Sequence, residues 1–567
     1  MNIDELLLTV QRPARYIGGE WNSVRKEWTD GKTKVLLAFP DVYEVGMSYL
    51  GMKILYGILN GRADCLCERV FSPWVDFEDV LRKNKISLFS LESKRPIRDF
   101  DIIGFSLAYE LSYTNVLNIL DLGGIPLLSS QRSDEDPLII AGGPSCFNPE
   151  PVADFIDAFV IGDGEEAVGE IVDVYKRTSG TKYESRKKLL RELADIPGVY
   201  VPSLYNVEYN VDGTIKSFRP KEGSVPEQIE KRVVKDLNAA FYPAKQIVPY
   251  IQIVHDRIAL EVMRGCKHAC KFCQATAIYR PWRERSKETV TALAQEAYRM
   301  TGYDEISLLS LSSGDHSQIK EMLEALNGVF KDKGVSVSVP SLRVEDILTK
   351  LPVLLSEVKK SGLTFAPEAG TDCLRRSLNK DIDINKLLEG AEGAFRAGWK
   401  RVKLYFMIGL PTERDEDLAA IADLIYAISD LKRKVDGRNA HIAASVNAFV
   451  PKPHTPLQRE PMETVEALAR KQGVIKGRIR SRFIELSFNG LEMSYVEALF
   501  SRGDRRLGPV IFEAWKSGSR FDGWRDHFRY GIWAEALKKC GVEGDFYVTR
   551  PRPREEILPW GFVRLHS

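Results

Sequence analysis

Ile258-Ala259-Leu260-Glu261-Val262 runs through Met263, Arg264 and Gly265 into Cys266-Lys267-His268-Ala269-Cys270-Lys271-Phe272-Cys273. The opening five residues form a short, mostly apolar run of the kind buried in a parallel sheet. Three cysteines then crowd into eight residues, although the whole 567-residue chain has only eight. That is no disulfide scaffold, and the crowding reads as a metal or cluster site in a reducing compartment. One loop at a strand's end can hold three corners of an iron–sulfur cubane and leave its fourth iron without a protein thiolate. Such an iron is open to an outside ligand. A zinc knuckle is the competing reading, but structural zinc takes four closed ligands and only His268 lies near.

Outward from this loop, strands and helices alternate. Segments 258–262, 305–311, 335–339, 363–366, 401–408 and 443–449 read as strands. Six β/α units over about 200 residues predict a partial (β/α)6 barrel with its active site at the strands' carboxyl ends. Upstream, strands at 34–39, 101–106, 137–141 and 158–161 end in Gly- or Ser-bearing turns and lead into helices such as 113–122 and 167–175. That is an α/β pattern, a doubly wound parallel sheet whose carboxyl edge is its ligand side. The expected order is an extension (1–33), a Rossmann-like sheet (34–176), a connector with some β-structure (177–254), a barrel core (255–475) and a C-terminal domain (476–567).

Bulk composition constrains class and partners. Hydrophobic residues make up 44% and charged residues 28%, and 80 Lys and Arg face 79 Asp and Glu. These are values of a globular protein with no global field toward nucleic acid or membrane. Neither a signal-peptide pattern nor an apolar run of spanning length is evident, so the expectation is a cytoplasmic protein with no membrane partner.

The cysteine loop, with Phe272 directly before its last cysteine, resembles the signature of the radical S-adenosylmethionine (SAM) superfamily. The resemblance implies that Cys266, Cys270 and Cys273 ligate a [4Fe-4S] cluster and that Phe272 borders the cofactor site. It further implies that the open iron chelates SAM, which an electron from the cluster cleaves to a 5′-deoxyadenosyl radical. The later strand ends follow the family in order. Ser312-Ser313-Gly314-Asp315 replaces the family's double glycine and puts forward Ser313 for the SAM amino group. Val339-Pro340-Ser341-Leu342-Arg343 offers Ser341 and Arg343 for the carboxylate. Ala366-Pro367-Glu368-Ala369-Gly370 offers Glu368 near the ribose or amino group, and Gly409-Leu410-Pro411-Thr412-Glu413 offers Gly409 and Pro411 beside the adenine. Each loop alone reads as an ordinary βα turn; their sequence carries the reading. A flavodoxin- or ferredoxin-type electron donor is implied as a partner.

The N-terminal sheet resembles the cobalamin-binding domain found upstream of many radical SAM cores. The matching elements are Asp41, Gly104-Phe105-Ser106, Gly142-Gly143-Pro144 and Gly162-Asp163-Gly164-Glu165. They imply Gly104, Ser106, Gly142, Gly143, Gly162, Gly164 and Glu165 as cofactor-binding residues, the glycines letting backbone approach a large planar ligand. The family's Asp-x-His-x-x-Gly motif is missing, and all seven histidines lie at or after His255. Cobalamin is therefore expected without a His ligand; the same absence suits a sheet that has lost the cofactor. Cys65, Cys67 and Cys146 invite comparison with the second cluster of radical SAM methylthiotransferases, but two of them are only two residues apart. They read as buried small hydrophobes, and Cys373 and Cys540 as core.

Residues 476–567 are rich in Arg and Trp, with Gly503-Asp504-Arg505-Arg506, Phe521-Asp522-Gly523-Trp524 and His527-Phe528. The expectation is a small cap over the barrel mouth, whose basic and aromatic side chains suit a nucleotide or RNA substrate. The alternative is an appendage packing its Trp residues inward. Three functions stay open: cobalamin-dependent methyl transfer, cobalamin-independent radical rearrangement or oxidation, and a cluster-bearing redox or RNA-binding regulator. The substrate is not legible.

Overall fold

The computed structural model describes residues 3–178, 185–340 and 363–565. They divide into two compact units, Met1–Asp256 with Phe500–Gly544 and Glu555–Ser567, and Arg257–Leu499 with Asp545–Arg554.

The first unit is built on six strands, β1 (Thr33–Phe39), β2 (Cys65–Phe71), β3 (Ile102–Ser106), β4 (Leu138–Gly142), β5 (Ala158–Val160) and β6 (Val199–Tyr200), in the order β2-β1-β3-β4-β5-β6. All neighbours are parallel except β5 and β6. The expected four strands gain β2 and β6. Val35 to Phe39 are all buried, as a central strand covered on both faces requires. Strand β2 lies at the edge, yet all seven of its residues are buried. The N-terminal extension and the segment around Glu92 cover it: Arg69 Nη2 donates to Glu20 Oε2 at 2.8 Å and Nε to Glu92 Oε1 at 2.6 Å. Covering an edge in this way removes a template for unwanted pairing. The expected connector adds a helix, Ser185–Leu193, and an antiparallel hairpin of β7 (Tyr205–Tyr209) and β8 (Ile215–Pro220). Strand β9 (Ile229–Glu230) pairs with Val563–Arg564 near the C-terminus.

The second unit opens with β10 (Ile258–Glu261) and a small antiparallel ladder of β11 (Met263–Arg264) and β12 (Arg283–Glu284). Then come β13 (Glu305–Leu309), β14 (Ser336–Ser338), β15 (Leu363–Glu368), β16 (Arg401–Ile408), β17 (His441–Ala448) and β18 (Ile484–Phe488). They form two parallel sheets, β10-β13-β14 and β15-β16-β17-β18. The six expected strands are thus joined by a seventh, β18. Helices alternate with them; Lys287–Thr301 starts on Ser286, whose side chain accepts from Thr289 N at 3.2 Å, and stops at Gly302 with φ +71°.

The C-terminal segment is divided between the two units. Residues 500–544 and 555–567 belong with the N-terminal sheet, and only 476–499 and 545–554 with the barrel unit. Trp533 and Trp560 are buried, which agrees with the inward-packing alternative.

Candidate active site

Gly265 turns the chain out of β11 with φ +88°, and a Cβ there would stand 2.8 Å from Tyr279 O and 3.0 Å from Pro281 O. Only glycine fits such a crossing of backbones. The β11–β12 ladder closes the base of the loop, and the loop then rests on the carboxyl ends of other strands. Lys271 N donates to Leu378 O at 2.9 Å, Asn379 Nδ2 to Ala269 O at 2.9 Å, and Leu457 N to Lys271 O at 3.3 Å. On the β13 side, Lys267 Nζ reaches Asp315 O at 2.9 Å and His268 Nε2 stands 2.8 Å from Asp315 Oδ2. Phe272 packs on an apolar cluster of Ala369, Leu374, Leu378, Leu410 and Phe449, residues that follow β15, β16 and β17. Cys266 and Cys270 are buried, Cys273 is half-buried, and none is in a disulfide. Three free thiols on a fixed loop are the donor set of a cubane with one open corner.

The other strand ends are specific too. Ser313 is fully buried and its Oγ lies 2.8 Å from Ser310 Oγ, so its hydroxyl is used within its own turn. Its neighbour Ser312 has a buried Oγ with no hydrogen-bond partner among the described residues, and is the better placed of the two to meet a ligand. Ser341 and Arg343 lie outside the described residues. Glu368 closes β15 across a bulge against β16, with φ +68°. Thr412 after β16 and His454 after β17 share that left-handed conformation, at +67° and +64°. Left-handed non-glycine residues cost energy and gather at functional sites. Burial pushes the Glu368 carboxyl above its ordinary range, while Lys380 at 3.6 Å pulls it back in part. Gly409 has φ +78° and donates its N–H to Glu413 Oε2 at 2.7 Å. Glu413 is held in turn by Lys471 Nζ at 2.7 Å, so the Gly409–Pro411 turn is braced by a buried ion pair.

The second sheet alternates strictly. Val402, Leu404, Phe406 and Ile408 of β16 are buried, whereas Arg401, Lys403 and Tyr405 are exposed and Met407 half-buried. Register carries that open face across the sheet: Lys403 pairs with Ala443, Tyr405 with Ser445, Ser445 in turn with Ser487, and Met407 with Asn447. Tyr405, Ser445, Ser487 and Asn447 therefore line one face, below the strand ends that meet the cysteine loop. Sequence reading had named none of them.

Two family models match the chain, one described as "Radical SAM proteins, N-terminal" over residues 51–202 and one as "Radical SAM superfamily" over residues 260–425. The second spans the cysteine loop and the ends of β10 to β16. The chain belongs to the radical SAM superfamily. It is an enzyme of that superfamily, and its cofactors are a [4Fe-4S] cluster and SAM. An uncharacterized protein of Methanocaldococcus jannaschii is 27% identical over 479 residues, covering 84% of this chain and 90% of its own length. Two structures of the radical S-adenosylmethionine methyltransferase TsrM from Kitasatospora setae are also similar. The one with tryptophan substrate and a SAM analog is 14% identical, covering 76% of this chain and 75% of that one, at a TM-score of 0.48. The one with cobalamin and a [4Fe-4S] cluster is 12% identical, with 76% and 74% coverage and a TM-score of 0.48. No helix among the described residues is long and apolar enough to cross a membrane.

In the N-terminal unit the glycines expected to approach a cofactor divide into two kinds. At Gly143, φ +116°, a Cβ would stand 2.6 Å from Leu107 O; at Gly162, φ +107°, it would stand 2.2 Å from Arg232 O. Those two admit the protein's own backbone. Gly104 is buried in the sheet among Leu37 and Ile140, beside the buried Ser106. Gly142 and Gly164 are half-buried and have no atom nearer than 3.5 Å to the Cβ position, so they leave room at the edge, next to the half-buried Glu165. Around β1 to β4 the same edge is roofed by the C-terminal segment. Trp524 Nε1 donates to Asp41 Oδ1 at 2.9 Å, Phe521 N to Asn115 Oδ1 at 2.9 Å, and Asn148 Nδ2 to Gly503 O at 2.9 Å. The place of the missing cobalt-ligating His is taken by Tyr43, two residues after Asp41, which is buried and donates to Glu20 Oε1 at 2.9 Å. An imidazole does reach this unit from far along the chain: the ring of His527 lies 4.6 Å from that of Trp74.

Cys65, Cys67 and Cys146 are buried, and burial pushes the Cys65 thiol up to about 11. Inert thiols of this kind are packing residues. Cys373 corrects the reading as core: it is exposed in the first turn of the helix Asp372–Ser377, and Cys540, the C-cap of the helix Tyr530–Lys539, is half-buried.

Proposed function

We propose that this enzyme makes a 5′-deoxyadenosyl radical by reductive cleavage of SAM and transfers a methyl group through cobalamin to a polar substrate. The observation that carries the reading is the seating of the Cys266–Cys273 loop on the ends of β15, β16 and β17. The cluster supplies an electron to SAM when both are bound. The chain's own residues do the rest. Gly265 and the β11–β12 ladder fix the loop, and Phe272 with its apolar cluster excludes water beside it. Ser312, Glu368 and the Gly409 turn present a hydroxyl, a carboxylate and backbone groups to the polar parts of SAM. Ser341 and Arg343 join them in this proposal. Tyr405, Ser445, Ser487 and Asn447 offer hydrogen bonds to a substrate, which favours a polar one.

Cobalamin, when bound, would carry the methyl group. Gly142, Gly164 and Glu165 are the residues that leave space for it on the N-terminal edge. A second reading, radical rearrangement or oxidation without cobalamin, is favoured by Gly143 and Gly162, whose space the chain itself fills. The deciding experiment is cobalt analysis and a visible spectrum of protein produced with ample cobalamin and purified without oxygen. The leading reading expects about one cobalt per chain with a base-off spectrum. Protein that retains no cobalt and binds none on titration removes methyl transfer through cobalamin and leaves the second reading.

A further inference from the structure

Parallel sheets are covered on both faces, and the interior of a barrel is ordinarily filled by layers of branched apolar side chains. The open face of β15 to β18 is not built that way. Thr364, Lys403, Ala443 and Glu485 form one row across it, in register from strand to strand. Thr364, Lys403 and Glu485 are exposed and Ala443 is half-buried. The next row toward the cysteine loop is Tyr405, Ser445 and Ser487, and the one after it holds Met407 and Asn447. Met407 packs against the same apolar cluster as Phe272. Row by row, the face leads from Lys403 and Glu485 up to the loop, about 13 Å over four residues of strand.

The two charges in the lower row are opposite and unused. Neither Lys403 nor Glu485 hydrogen-bonds or pairs with another side chain among the described residues. Only Ala443 lies between them, so their Cα atoms stand two strand spacings apart, about 9.5 Å. A small residue between an ammonium and a carboxylate leaves a notch with oppositely charged walls. A simple anion entering it is attracted by Lys403 and repelled by Glu485, and a simple cation meets the reverse. A molecule that carries a carboxylate and an ammonium together satisfies both walls. The remaining charged or titratable groups of this face, Arg401 and His441, lie one row further from the loop, and the His441 ring packs on that of Phe483 at 5.5 Å.

We propose that Lys403 and Glu485 form a subsite for a zwitterionic head group, Lys403 taking the carboxylate and Glu485 the ammonium, so that the substrate is a free amino acid whose side chain runs past Tyr405 toward the loop. Each charge-assisted hydrogen bond fixes one end of the head, and two fixed ends aim the side chain along the strands. Tyr405, 38% exposed in the row above, offers that side chain a ring to pack on and a hydroxyl. The inference rests on the reading of this face as the substrate's and is independent of cobalamin.

The test is calorimetric titration of the anaerobically reconstituted protein, with SAM present and no reductant, using L-phenylalanine, 3-phenylpropionate and phenethylamine. The three probes share a phenyl ring and carry both charges, the carboxylate alone or the ammonium alone. Phenylalanine should bind roughly tenfold more tightly than either analogue. Lys403→Gln should weaken phenylalanine and phenylpropionate about tenfold and leave phenethylamine unchanged. Glu485→Gln should weaken phenylalanine and phenethylamine and leave phenylpropionate unchanged, and Lys403→Arg should keep most of the affinity. Equal affinities for the three probes, no binding of phenylalanine at millimolar concentration, or phenylalanine binding that both Gln variants retain would overturn the proposal. Tightest binding of phenylpropionate, indifferent to Glu485→Gln, would overturn it too and leave a site for anions alone. Both Gln variants should keep the change that SAM causes in the electron paramagnetic resonance signal of the reduced cluster. Absence of that change in the wild type would be a failure of the SAM reading, and absence of cobalt a failure of the methyl-transfer reading; neither alters what these titrations decide.

Discussion

Gly265 and Gly302 both have positive φ, yet they differ in what surrounds them. A methyl group at Gly265 meets three backbone atoms at 3.0 Å or less, whereas one at Gly302 meets nothing within 4 Å. Gly265→Ala therefore adds backbone collision to the left-handed strain, which alone costs about 1–3 kcal/mol. The expected outcome is a folded protein that assembles markedly fewer irons per chain. Gly302→Ala should lose about 1 kcal/mol in a thermal melt and keep its full iron content. Equal iron in both variants would show that the Gly265 turn does not hold the loop. At this scale the sequence was partly legible. Three cysteines and a phenylalanine announce their chemistry by type and spacing. Ser312 and Ser313 do not, because only the fold decides which hydroxyl turns into its own loop. Gly143 and Gly162 are similar: a glycine reports that something passes close, and the backbone of Leu107 and Arg232 does so here.

Among the elements, the legible ones were those whose apolar runs are unbroken. Strands β1, β3 and β4 follow that rule. Strand β2 hid because Glu68 and Arg69 interrupt its run, and a charge inside a strand reads as exposure unless its partners are known. Its partners, Glu20 and Glu92, are far away in sequence. Strand β18 hid in a stretch whose Arg-rich flanks suggested a separate domain. The grouping of Phe500–Gly544 with the N-terminal sheet was not legible, since sheet-edge contacts between residues about 400 apart leave no periodic trace. Its keystone is Asp522, buried and accepting from Thr114 Oγ1 at 2.7 Å, Ser519 Oγ at 2.5 Å and Trp533 Nε1 at 3.1 Å. Asp522→Ala strands those donors, at roughly 1–3 kcal/mol for a buried unsatisfied group. Thermal and denaturant unfolding should register a loss of about 2–4 kcal/mol in the transition of the N-terminal unit. A loss below half a kilocalorie would mean that the segment is only loosely attached to the sheet.

For the whole molecule, the fold places one reactive loop where strands β10, β13 and β15 to β17 all deliver their ends. That convergence makes the chain a candidate to hold a reducible cluster, present SAM to it, and keep water away. The central claim is tested most directly by electron paramagnetic resonance of the anaerobically reconstituted, reduced protein, recorded with and without SAM and paired with metal analysis. The account predicts close to four irons per chain and a reduced-cluster signal that changes when SAM is added. It predicts loss of that signal in Cys266→Ala, Cys270→Ala and Cys273→Ala. Stoichiometric zinc in place of iron, or a cluster signal that SAM leaves unmoved, would contradict it.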